Sequence, residues 1–79
     1  MTTKVVYYGM ISEKLQCSSE VLSFDAENET IDLRRVLEDK YPDLKDFSYQ
    51  IAVNHEFKDT IKPGENIEEI ALLPPFAGG

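Results

Sequence analysis

With 79 residues, 42% of them apolar, the chain has enough for one small core and too little for two. Fifteen acidic against eight basic residues leave a net charge of −7, which argues against nucleic acid or an anionic membrane as partner, since phosphate contacts need clustered Lys and Arg. The same charge would steer the chain toward a basic protein surface, or simply keep a small domain in solution.

The first element in the chain is "TKVVYYGM", Thr3 to Met10, rich in β-branched and aromatic residues and read as a strand. Val5 and Tyr7 fall on one face and Val6 and Tyr8 on the other, so the strand is expected to be central or covered on both sides. "ISEKLQ" follows as one helical turn, and "EVLSF", Glu20 to Phe24, as an antiparallel partner joined by a short link.

"ETIDLRRVLEDKYP" is the clearest helix. Thr30 is its expected N-cap, and Asp32 falls in the first turn, where the helix dipole favours an anion. Leu33, Val36, Leu37 and Tyr41 repeat at three- and four-residue spacing as one apolar stripe, and Pro42 ends the helix. "YQIAVN", Tyr49 to Asn54, is a strand, Asn54-His55 a turn and "EFK" a short return strand. Pro63-Gly64 in "IKPGEN" marks another turn, and "EEIALLP" is the last strand, stopped by Pro74. A first and a last strand that pair side by side across one helix would be parallel. The order therefore predicts an α+β fold of the ubiquitin-like β-grasp type: a mixed sheet with one main helix across one face, residues 1–73, and an extended tail, residues 74–79.

Side-chain chemistry is sparse. The single cysteine, Cys17, rules out an internal disulfide, and its neighbours Gln16 and Ser18 supply no activating base, so it reads as a loop or edge cysteine. With no signal-like or membrane-length apolar run, the expected compartment is a reducing cytoplasm. The one histidine, His55, falls in a turn and reads as solvated surface. No Cys/His/Asp cluster has metal spacing, no glycine-rich phosphate loop occurs, and Glu68-Glu69 fall on opposite faces of a strand. No bound cofactor and no metal are expected in this chain.

What remains is the end of the sequence, "LLPPFAGG". The α-carboxylate of Gly79 is ionised at neutral pH and can attack the α-phosphate of ATP to give an acyl-adenylate, provided it enters another protein's active site. Gly78 and Gly79 have no side chains to obstruct a narrow channel. Pro74-Pro75 stiffen the base of the tail, and the stretch from Pro74 through Ala77 to Gly79 reaches on the order of 20 Å when extended. Phe76 is read as an anchor in the mouth of that channel, in preference to a side chain folded back on the domain.

Four stretches, "KVVYYGMISEKL", "LRRVLEDKYPDL", "IAVNHEF" and "EIALLPPFAGG", make the chain resemble, over nearly its whole length, the MoaD/ThiS family of ubiquitin-like sulfur carriers. The run Ala-Leu-Leu-Pro-Pro into Gly-Gly resembles the molybdopterin-synthase branch more than the thiamine branch. Two positions depart from the family pattern. Asn66-Ile67-Glu68 stands where an acidic-Gly-acidic turn is common, and Phe76 where a smaller aliphatic is usual, which suggests a matching pocket in the partner or a shifted partner preference.

The resemblance implies that the chain is no enzyme alone but a sulfur carrier in molybdenum cofactor biosynthesis. An E1-like adenylyltransferase (MoeB/ThiF-like) would use ATP and Mg to activate Gly79, and a sulfur donor protein would convert the adenylate to a thiocarboxylate. The tail would then enter the large molybdopterin synthase subunit (MoaE-like), in a heterotetramer, to deliver sulfur to cyclic pyranopterin monophosphate. Docking on one sheet face would set Tyr7 and Leu72, or their neighbours, against the partner, unless these side chains are wholly core. The alternatives are a carrier for thiamine or another pathway, a protein modifier joined to lysines through Gly79, and a passive binding module.

Overall fold

The computed structural model describes residues 2–24 and 29–75. Five strands form the main sheet: β1 (Thr2–Tyr7), β2 (Ser19–Ser23), β4 (Gln50–Val53), β5 (Glu56–Phe57) and β7 (Glu69–Leu73), in the order β2-β1-β7-β4-β5. The first and last strands pair in parallel, Val5 with Ile70 and Tyr7 with Leu72, and every other pairing in this sheet is antiparallel. Helix α2 (Leu33–Lys40) follows β2 in the chain, so the parallel pair is closed by a crossover that contains it. This is the β-grasp arrangement that the element order predicts.

Alternation along the strands decides what is buried. Val5 and Tyr7, Ile51 and Val53, and Ile70 and Leu72 all face inward, where they meet Leu33 and Leu37 of α2 together with Ile11, Leu44 and Ile61. The other face of the sheet is open. Lys4 and Tyr8 are exposed and Val6 is half-buried, so β1, flanked by β2 and β7, takes the first of the two expected forms: it is interior to the sheet and covered on one face only. Aromatic and β-branched residues on an open face are what a docking surface requires as readily as a second layer, so the composition does not separate the two.

The helix begins later than its sequence pattern suggests. Ile31 and Asp32 form β3, which pairs antiparallel with β6 (Thr60–Ile61), and Ile31 is buried opposite Ile61. Asp32, not Thr30, is the N-cap: its Oδ1 accepts the backbone N–H of Arg35 at 3.3 Å. The tertiary pairing of Ile31 outweighs the local capping preference of Thr30. After α2, Pro42 opens a short 3-10 helix, Pro42–Asp46, whose Leu44 is fully buried and seals one end of the core.

Both predicted turns form. Asn54 and His55 take left-handed backbone angles, φ 50° and 70°, the pattern of a two-residue hairpin loop between β4 and β5. At the other turn Gly64 has φ 82° after Pro63, and the Glu65 N–H donates to the Lys62 carbonyl at 3.1 Å. There Glu65 also accepts from the Lys62 N–H at 2.8 Å and from the Lys58 ammonium.

Candidate functional site: the root of the C-terminal tail

Strand β7 lies in the middle of the main sheet and ends at Leu73, so whatever follows leaves from the sheet's centre and not from an edge. Pro74 withholds a backbone donor and is half-buried, and Pro75 is exposed. Phe76, Ala77, Gly78 and Gly79, which the sequence marks as the reactive part of the tail, lie outside the described residues.

Tyr7 and Leu72 are not at a surface. They are 2% and 0% exposed and belong to the core, because both take the inward positions of a parallel register pair. Their neighbours one residue along each strand turn to the other face, where Val6 is half-buried and Ala71 is 8% exposed. Val6, Ala71, Ala52 and Phe57 stand side by side across four strands on the open face. Tyr8 and Leu73 lie one step further toward the tail. The Tyr8 N–H donates to the Leu72 carbonyl at 3.1 Å and carries the parallel ladder one residue beyond β1. Tyr8 is 44% exposed and Phe57 62%, and between them lies a shallow groove of about 190 Å³ floored by Ala52 and Ala71 and bounded by Leu73, Glu69 and His55. Small residues at the floor and aromatics at the rim make a concave apolar surface beside the tail's exit. Its sequence signal is the alternation within "EIALLP", which sends Glu69, Ala71 and Leu73 to the face opposite Ile70 and Leu72.

Asn54, which residue-type reasoning passes over as a turn former, ties the hairpin to the start of β7. Its Oδ1 accepts the N–H groups of Glu68 at 2.8 Å and Glu69 at 3.1 Å, its Nδ2 donates to the Asn66 carbonyl at 2.8 Å, and its own N–H donates to the Glu69 carbonyl at 2.9 Å. These bonds set where β7 begins, in the stretch where the acidic-Gly-acidic turn is replaced by Asn66-Ile67-Glu68.

On the covered side, Glu20 Oε2 accepts hydroxyl protons from Tyr7 and Tyr41, each at 2.6 Å, and Oε1 lies 3.8 Å from the Lys40 ammonium. Burial works to raise the Glu20 carboxyl, but the two tyrosine hydrogen bonds and Lys40 outweigh it and hold it below the usual carboxylate range. Tyr7 is pushed well above the ordinary phenol range by burial and by its bond to Glu20, and Tyr41 is pushed up to about 12, chiefly by its bond to Glu20. Tyr49 is also raised, by burial and by its 2.6 Å bond to Glu38, while the Arg34 guanidinium lies 4.6 Å from its ring centre. These partnerships tie helix to sheet. They do not place an acid beside a base or a nucleophile.

Among the described residues no group of His, Cys, Asp and Glu could hold a metal ion, and no helix is long and apolar enough to cross a membrane. Cys17 is half-buried, with its Sγ donating to the Ser19 carbonyl at 3.3 Å, and His55 is exposed on its turn.

The chain is 31% identical to the molybdopterin synthase sulfur carrier subunit of Caenorhabditis briggsae, across 100% of its own length and 99% of that protein. It is also 31% identical to the protein of the same name from Homo sapiens, across 96% of this chain and 92% of the other. It belongs to the family of molybdopterin synthase sulfur carrier subunits. No family model matches the sequence. Among solved structures, SAMP1 from Haloferax volcanii superposes with a TM-score of 0.71 over 100% of both chains at 18% identity. A candidate molybdopterin converting factor, subunit 1, from Pyrococcus furiosus superposes with a TM-score of 0.72 at 18% identity, over 96% of this chain and 99% of the other. At that identity the likeness establishes the ubiquitin-like fold, which agrees with the strand order already described.

Proposed function

We propose that the chain carries sulfur for molybdenum cofactor assembly on the carboxyl group of Gly79. The observation that carries this reading is the relationship, across 100% and 96% of this chain, to two molybdopterin synthase sulfur carrier subunits. The geometry supports it. The tail leaves from the central strand of the sheet, and an apolar face lies next to the exit.

In the proposed cycle a Gly79 carboxylate oxygen attacks the α-phosphorus of ATP, bound with magnesium by an E1-like enzyme, and pyrophosphate leaves. A sulfur donor then displaces AMP and leaves a terminal thiocarboxylate. Sulfur is a better nucleophile than the oxygen it replaces, and a tail inside a partner's channel is shielded from water. The acceptor is cyclic pyranopterin monophosphate, held by the large synthase subunit in a heterotetramer. Its two new carbon–sulfur bonds require two charged carriers, each released with a carboxylate whose oxygen comes from water. The partner docks on the groove rimmed by Tyr8, Phe57 and Leu73, and the net charge of −7 favours a basic rim around the partner's channel. ATP and magnesium belong to the activating enzyme, and the cycle runs in the cytoplasm.

The test is the intact mass of the chain after incubation with an E1-like activating enzyme, ATP and a sulfur donor. Replacement of one oxygen by sulfur within the C-terminal peptide is the expected result. Isopeptide links to lysine with no thiocarboxylate would favour a protein modifier. No change with an enzyme competent on its own carrier would overturn the reading.

A further inference from the structure

We infer that Gly9 is a positioning residue that aims the tail, an inference that rests on the reading of the tail as the part presented to an activating enzyme. Beyond the Tyr8–Leu72 hydrogen bond the two parallel strands separate, and Gly9 and Pro74 are the residues at the fork. Gly9 has φ 60° and ψ −134°, a conformation that residues with a side chain rarely adopt. It is held there from the α1 side (Met10–Leu15): its carbonyl accepts the Ser12 hydroxyl at 2.9 Å and the Glu13 N–H at 3.3 Å. A Cβ on Gly9 would lie 3.3 Å from Pro74 Cγ and 3.8 Å from Pro74 Cδ, so the proline ring rests against the bare α-carbon.

That contact matters because Pro74 is rigid. Its ring fixes φ, so the direction in which the ring is seated becomes the direction in which Pro75 and the rest of the chain leave the sheet. A methyl group on residue 9 must push the ring by a few tenths of an ångström or move the corner that α1 holds. Misplacement at the root of the tail costs rate at a reacting atom even when every reacting group is intact.

The experiment compares wild type, Gly9→Ala, Pro74→Ala and the double variant, reading kcat/KM for ATP-dependent pyrophosphate release by an E1-like activating enzyme. Gly9→Ala is expected to lose about tenfold. The double variant is expected to return to within about threefold of Pro74→Ala, because alanine at 74 has neither of the two atoms a residue-9 methyl would meet. Wild-type activity in Gly9→Ala, or a double variant about tenfold slower than Pro74→Ala, overturns the inference. Nuclear Overhauser contacts between the Gly9 α-protons and the Pro74 ring protons in free wild type provide a reading that needs no enzyme and no stable variant at position 9, and their absence overturns it equally. Wild type that is not activated at all, with those contacts present, removes the carrier reading and leaves the Gly9–Pro74 contact in place.

Discussion

Asn54 Oδ1 accepts the backbone N–H of Glu68 at 2.8 Å, across fourteen residues of sequence. A hairpin turn thereby fixes the start of the strand whose far end carries the tail. The same oxygen takes the Glu69 N–H, and the amide nitrogen returns a bond to Asn66, so one side chain closes three backbone positions in a segment without glycine. Asn54 also tolerates its φ of 50°, which most residues resist. Each bond is worth about 0.5–1.5 kcal/mol net, so Asn54→Ala should cost about 2–4 kcal/mol in urea denaturation. Asn54→Gly removes the bonds but not the backbone tolerance and should recover only part of that loss. Equal stability of the glycine variant and wild type would mean that the side-chain bonds contribute nothing.

The Glu20 clasp gives stability a definite dependence on pH. Its folded carboxyl titrates below the ordinary range, so its contribution is present above about pH 4.3 and is lost as pH falls through that value and beyond. Tyr41 acts at the other limit: its phenol is raised to about 12, so the stability it contributes is present below about pH 10 and disappears between there and pH 12. Glu20→Gln should cost about 1–3 kcal/mol at pH 7, since a hydrogen bond to a charged group is exchanged for a weaker one at two tyrosines. Melting curves from pH 2.5 to 8 should converge for variant and wild type at the acid end. Parallel curves throughout would show that Glu20 does not titrate with folding. Glu65, lowered by Lys58 and the Lys62 N–H, adds its own acid-side dependence and remains in both proteins.

Much of this architecture is legible in the sequence, for physical reasons that differ between elements. Asn54-His55 and Pro63-Gly64 are legible because the left-handed backbone needs particular residue types whatever surrounds it. The parallel pairing of β1 with β7 follows from strand order and chain handedness. The start of α2 is not legible, because Thr30 and Asp32 can both cap a helix and the pairing that places Ile31 in a strand is made thirty residues away by Ile61. The same holds for the docking face. Leu72 and Leu73 are the same residue type side by side, and only the register against Tyr7 and Gln50 decides that the first is core and the second borders the groove.

That distinction predicts opposite outcomes for a core position and a rim position. Leu72→Ala, in the fully buried position, should lose about 2–5 kcal/mol of stability. Phe57→Glu, on the 62% exposed rim, should weaken partner binding at least about tenfold, by more than any change in its melting curve accounts for. Calorimetric titration against the large synthase subunit, with melting curves as control, separates the two effects. Unchanged binding by Phe57→Glu would move the interface off this face.

The tail itself should be tested by length before side chain. Removal of Gly79, or one residue added after it, should abolish thiocarboxylate formation and leave the melting curve where it is, since the core closes at Leu72 and β7 ends at Leu73. Gly78→Val should lose nearly as much, because a β-branched side chain widens the tail and narrows its backbone freedom at the point that must thread a channel. Cys17→Ala and His55→Ala should transfer sulfur at the wild-type rate. If His55→Ala were inactive while Gly78→Val remained active, the chemistry would belong to the hairpin turn beside the groove and not to the terminal carboxylate.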